Sequence, residues 1–237
     1  MLQKDCYTQS KLQASKKNEG GKSTQTCLTI PLHEALDDSV REHTTFRTEL
    51  RELVDDRSLP DCYYHNHTVE TYGAHDLVAP FGVFLDGVPY AHSDSILGIW
   101  GFNVVTSQRF LLAIIRGRRM CRCGCKSWCT IYELMEWLAW SFRACAEGLH
   151  PMCRHDQKPF GEPDRQQRAG ERMQMRFCLL FVKGDWMEYS TSLGFPGFND
   201  GMRCCTECNA DLGTRSEVEG STFDELRWRQ NGDRDYY

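Results

Sequence analysis

Four cysteines fall within nine residues, Cys121, Cys123, Cys125 and Cys129, with the spacing C-x-C-x-C-x3-C. Farther on stand Cys204, Cys205 and Cys208, the last two forming a C-x-x-C pair. Thiolates this dense are reactive when bare, and together they make a tetrahedral ligand set for zinc. Adjacent C-x-C pairs strain a single tetrahedron, so two ligand sets stand open. Zn2+ is held within Cys121, Cys123, Cys125 and Cys129, or two of these combine with Cys205 and Cys208 in a knuckle joining both regions. Two aspartates form the second chemical feature. Asp86 follows the apolar run Phe81–Leu85, and Asp185 follows the run Phe177–Val182. Carboxylates on adjacent strand ends can share divalent cations, Mg2+ or Mn2+, of the kind that serve phosphodiester chemistry. Each acid also has a plain structural reading, because Asp86-Gly87 and Gly184-Asp185 are turn dipeptides.

Several elements must position these groups. Phe81–Leu85, Ile96–Val105 and Arg109–Ile115 read as three short strands, rich in β-branched and aromatic residues and punctuated by turns. Thr106-Ser107-Gln108 is the polar turn between the last two. Asp94, in the first link, reads as a turn cap. Residues 130–149 form a helix with Thr130 and Glu133 as a capping box and Gly148 as the terminating glycine. Trp137 and Trp140 belong to its packing face. Residues 175–183 are a continuous apolar run, which predicts a central strand covered on both faces. Before the meander, residues 31–56 carry Leu32, Leu36, Val40, Phe46, Leu50 and Leu53 at helical spacing, with Pro31 at the first helical position. His33 and His43 fall on its surface side. Cys62, His65 and His67 make an uncommon spacing for half a zinc site, and a loop leading into Phe81 is the simpler reading. The polar residues 150–174 read as a surface loop, with His155-Asp156 inside it.

Bulk properties bound the rest. The chain has 237 residues, of which 41% are hydrophobic, enough for one sizeable core and a tail. The net charge of −5 lacks the basic footprint of a whole-domain nucleic-acid binder. Charge is uneven, however, and Arg116, Arg118, Arg119, Arg122 and Lys126 form a basic run. No long apolar stretch predicts a membrane span, and the N-terminus lacks the apolar core of a signal peptide, so an intracellular protein is expected. An odd count of 13 cysteines then favours metal ligands over disulfides. Gly20–Thr24, GGKST, is not a phosphate-binding loop, because Lys16 stands where the motif needs its first glycine. The expected organisation is a disordered tail (1–29), a helical segment (30–75), an α/β core with the cysteine-rich insert (76–212) and a C-terminal helix or tail (213–237).

Taken in order, strand-Asp86, two more strands, a cysteine-rich insert, a helix, strand-Asp185 and a C-x-x-C pair resemble the RNase H-like core of DDE-type cut-and-paste transposases, the CACTA and Plavaka type most nearly. The stretches FLDGVPYAHSDSILGIW, CRCGCKSWCT, KGDW and LGFP resemble a multicopy group of uncharacterised, transposon-derived protist proteins. The resemblance implies a mixed sheet of three antiparallel strands, then a helix and a further strand, with a zinc-knuckle insert. It makes Asp86 and Asp185 the first and second catalytic metal ligands and Glu225 the candidate for the third. It implies DNA as partner, with Mg2+ or Mn2+ activating water and then a DNA 3′-hydroxyl, in an intracellular setting that extends to the nucleus. No membrane is expected, and self-association stays open. The short stretch beyond Cys208 departs from the family pattern and raises a fragment or an inactive relative as the expectation. The competing reading is a non-enzymatic zinc-binding module for protein or nucleic acid.

Overall fold

Alternating apolar residues bounded by turn chemistry build the centre of the molecule. β3 (Val78–Ala91), β4 (Asp94–Asn103) and β5 (Arg109–Arg116) form an antiparallel meander, with Phe81 opposite Asn103, Asp86 opposite Gly98, and Ile99 opposite Ala113. A bulge between Ile99 and Trp100 shifts the β4–β5 register by one residue. In the β4–β5 turn, the Asn103 side-chain oxygen accepts the Val105 N–H at 3.0 Å. This computed structural model describes residues 8–15, 22–92, 94–125 and 127–185, together with Tyr189, Ser190, Leu193 and Phe195. It divides into two compact units, Met1–Lys183 and Gly184–Tyr237.

The full sheet has six strands in the order β1-β2-β5-β4-β3-β6. β1 (Thr8–Ser15) and β2 (Lys22–Thr29) pair antiparallel from Thr8 opposite Thr29 to Ser15 opposite Lys22. The polar residues expected as a disordered tail thus contain a hairpin, and Thr29 opposite Ala113 joins it to β5. Threonine suits extended backbone, and ladder hydrogen bonds need no apolar side chains. β6 (Arg176–Gly184) is an edge strand beside β3 among the described strands, not the central strand expected. Its apolar run reflects burial of Phe177 and Cys178 at its start, while Val182 and Lys183 are exposed.

One face of the sheet carries Phe81, Val83, Leu85, Leu97, Ile99, Leu112 and Ile115, all buried. α1 (Leu32–Glu42) and α5 (Trp128–Glu147) cover it. Leu32 of α1 presses on Gly101, and Phe142 of α5 lies 5.5 Å, ring to ring, from Phe81. Trp137 and Trp140 are buried as expected. Each large apolar side chain buried here contributes on the order of 1.5–3 kcal/mol.

The single helix expected over 31–56 is two, α1 and α2 (Phe46–Asp55). The β-branched pair Thr44-Thr45 falls at the break, where the Thr45 hydroxyl donates to Glu49 at 2.6 Å. Pro31 is the extended residue before α1 rather than its first helical residue. Two short helices, α3 (Asp61–Tyr64) and α4 (His67–Tyr72), precede β3. They are anchored by the Tyr63 hydroxyl on Val78 O and the Asn66 amide on Leu179 O. Within 150–174 lies α6 (Pro163–Arg168). In the second unit, Asp185 O accepts the Tyr189 N–H at 3.1 Å, the bond of a helical turn.

Candidate metal centre

Between β5 and α5 the chain makes a 3-10 turn, Gly117–Arg119, and then gathers its cysteines. Gly124 adopts φ +91 and Ser127 φ 71, left-handed conformations that fold the insert back on itself. The Cys121 N–H donates to Thr130 Oγ1 at 2.9 Å, which pins the first cysteine to the first turn of α5. Thr130 is therefore not the helix cap expected; α5 begins two residues earlier at Trp128, with Cys129 in its first turn.

The sulfurs of Cys121, Cys123, Cys125 and Cys129 all lie within 4.8 Å of one another. Cys121 and Cys123 are 3.3 Å apart, and Cys123 and Cys129 3.8 Å. Zinc–sulfur bonds of about 2.3 Å put the corners of a tetrahedron about 3.8 Å apart, so the four thiols could hold a metal ion such as zinc. The C-x-C spacings thus converge on one centre despite the strain expected of them. Cys205 and Cys208, the alternative partners, lie outside the described residues, as does Glu225.

Electrostatics favours a cation here. Cys121 and Cys125 push the Cys123 thiol up to about 11, because a thiolate beside other thiol sulfurs is disfavoured. The Cys129 N–H, 3.5 Å from Cys125 Sγ, holds the Cys125 thiol below its ordinary value. That N–H belongs to the α5 N-terminus, whose dipole also favours negative sulfur. A bound divalent ion replaces the protons and removes the repulsion.

The acids fall differently. Asp86 lies inside β3, not at a strand end, because the strand continues to Ala91. It points away from the helices, on the face shared by Phe84, Gly98 and Trp100. Asp185 belongs to the second unit and is exposed. Among the described residues, the only group of three or more potential ligands is the four-cysteine cluster. Asp94 has the structural role expected: its Oδ1 accepts the N–H groups of Ser95 and Arg118, at 3.0 and 3.1 Å. Cys62 is exposed and, with His65 and His67, forms no such ligand group. Asp156 pairs with Arg154 and Lys158.

A buried polar network escaped sequence reasoning altogether. His33, expected at the surface, is 1% exposed. Ser141 Oγ on α5 accepts the His33 backbone N–H at 3.0 Å and lies 2.9 Å from His33 Nδ1. That fits a neutral imidazole receiving the serine proton. Beside it, Asp37 Oδ2 takes Arg41 Nη2 at 2.8 Å and Arg168 Nη2 at 2.9 Å, with His150 Nε2 at 3.3 Å. Arg165 grips Glu34 with two bonds, at 2.6 and 2.8 Å. Ser141 and His33 have the spacing of a nucleophile and its base, and both are buried. An amphipathic pattern cannot flag such residues, since polar types on a helix read as its wet face.

Burial lowers the His33 imidazole well below its ordinary value, and the nearby His150, Arg165 and Arg168 add to this. Burial raises Asp37, but hydrogen bonds from His150 and the Gln174 N–H, with the charges of His150 and Arg41, outweigh it and hold the carboxyl low. Both effects act in one direction. The unfolded chain binds a proton at His33 below pH ~6.5 while the folded chain resists it, so stability falls with pH from there, by up to ~1.4 kcal/mol per unit. Asp37 adds a further loss below pH ~4. Urea midpoints at pH 7.5 and 5.5 check this: His33→Gln is expected to flatten the difference. An equal pH dependence in wild type and variant would rule out the assignment.

No protein-family model, curated protein or solved structure matches the chain. No helix among the described residues is long and apolar enough to cross a membrane.

Proposed function

We propose that this protein is a zinc-holding module that engages nucleic acid, built on an RNase H-like, transposase-derived core. The observation that carries the reading is the convergence of Cys121, Cys123, Cys125 and Cys129 into one cluster within 4.8 Å. Zinc there is structural: four protein thiolates leave no open position for a substrate. It clamps the β5–α5 connection, from which the basic residues Arg116, Arg118, Arg119 and Arg122 project. DNA is the partner that fits both the basic run and the transposase resemblance, and a DNA partner implies a nuclear site. Metal analysis of purified protein tests the core claim. One zinc ion per chain, retained after Cys205→Ser and Cys208→Ser, supports the four-cysteine centre. Loss of zinc in that pair of variants transfers it to the knuckle instead.

A second reading, metal-dependent DNA strand cleavage or transfer with Asp86, Asp185 and Glu225, is favoured by one feature of the sheet. β6 lies beside β3, the strand that carries Asp86. In that reading Mg2+ or Mn2+ polarises phosphate and lowers the pKa of water, and the carboxylates hold it. A nicking assay on supercoiled plasmid with Mn2+ is the test. Activity is expected to fall at least ~100-fold in Asp86→Ala and in Asp185→Ala, in line with the loss of a group that acts on the transition state. Equal nicking by all variants sinks the catalytic reading.

A further inference from the structure

Among the described residues, the sheet face opposite the helices is not covered in the way a core face would be. The register sorts it into cross-strand rows. The first is Arg109, Phe102 and Gly82; the second is Leu111, Trp100 and Phe84. The third is Ile114, Gly98 and Asp86; the fourth is Arg116, Ile96 and Val88. Phe84, Trp100 and Phe102 are only half-buried, and Leu111, Ile114 and Val88 are 36%, 46% and 45% exposed.

The glycines determine how the rings lie. A β-carbon on Gly98 would run into the Trp100 ring, and one on Gly82 would run into Phe102 and Phe181. The rings therefore occupy the space above glycine. They form two tilted pairs: Phe84 with Trp100 at 5.8 Å, and Phe102 with Phe181 at 5.3 Å, each at 41°. Cations frame this patch. Arg109 and Arg116 stand at the β5 end of the first and last rows, and Lys183 lies 4.7 Å over the Phe181 ring on β6. Asp86 is the only acid on the four rows.

We propose that this face is a stacking platform for an unpaired nucleic-acid strand. Partly exposed aromatic rings can stack with any base, and cations at both margins of the aromatic rows meet the phosphates on either side. A protein partner would be served as well by aliphatic side chains on edge and would not need the cationic margins. The inference deepens the nucleic-acid reading by naming its substrate class. It rests on the sheet face and needs neither the zinc centre nor cleavage at Asp86.

The test uses the full zinc-loaded chain and a fluorescein-labelled oligothymidylate of about 20 nucleotides, followed by anisotropy at low and moderate salt. Duplex of equal length serves as competitor and is expected to compete poorly. Trp100→Leu keeps the apolar bulk but removes the π-face, and is expected to weaken binding about tenfold or more. Arg109→Gln with Arg116→Gln is expected to lower the salt slope by about 0.7 for each phosphate no longer neutralised. Circular dichroism and zinc content confirm that each variant is folded. Trp100-dependent binding without any nicking supports the platform while sinking the cleavage reading. Equal affinity of wild type and Trp100→Leu overturns the proposal. So does a chain that ignores the oligonucleotide but forms a dimer, lost on Trp100→Asp, which would give this face to a second copy.

Discussion

Stripping the metal with a strong chelator is expected to lower the melting temperature by roughly 8–16 °C. The figure follows from mass action: zinc at about 1,000 times its dissociation constant stabilises by about 4 kcal/mol. Each kcal/mol moves the midpoint of a domain this size by about 2–4 °C. The effect is local in origin. Cys121 is buried, follows β5 and is hydrogen-bonded through its N–H to Thr130, while Cys129 sits in the first turn of α5. Without the ion, the thiols that crowd within 4.8 Å lose what holds them together, and the left-handed Ser127 loses what offsets the strain of its conformation. Cys123→Ser with Cys125→Ser is expected to abolish zinc binding and reproduce the chelator's shift. The shift should vanish in that variant when chelator is added. Cobalt substitution provides a spectroscopic check, since a four-thiolate site shows the strong sulfur-to-cobalt charge-transfer bands that a mixed or open site does not. A chelator that leaves the melt unchanged, with cobalt remaining octahedral, would refute the centre.

Asp37→Asn is expected to cost about 3–5 kcal/mol, the range for removing one partner of a buried ion pair. The Asp37 side chain is 0% exposed and takes Arg41, Arg168, His150 and the Gln174 N–H. These partners come from α1, α6 and the segments on either side of it. The asparagine keeps the shape but loses the charge, which leaves Arg168 beside His150 without compensation. The loss should appear in urea unfolding at pH 7.5 and be larger than that of Asp38→Asn, whose side chain is 32% exposed. Because the network fastens residues 149–175 to α1, proteolysis within that segment is expected to accelerate in Asp37→Asn before global unfolding. A cost below about 1 kcal/mol would show that the network contributes little beyond filling space.

The elements that were readable in the chain are those whose signals are local. The meander β3–β5 showed itself through alternation and turn residues, α5 through its apolar stripe and Gly148, and the thiol cluster through four cysteines within nine residues. Boundaries were less legible. Asp86 looked like a strand end because Gly87 follows it, but cross-strand pairing with β4 carries β3 on to Ala91. The apolar run of β6 looked central because composition reports how much is buried, not which neighbour does the burying.

The residues of the chain by themselves determined the β3–β5 meander, the helix α5 and the four-cysteine cluster, since each arises from groups close in sequence. Only the tertiary structure decided that His33 and Asp37 are inside, that the polar hairpin β1–β2 joins the sheet, and that glycines leave room for a row of rings. The burial of His33 and Asp37 depends on partners more than a hundred positions away, Ser141 and Gln174, and no local pattern encodes pairings that exist only once the sheet and helices have packed.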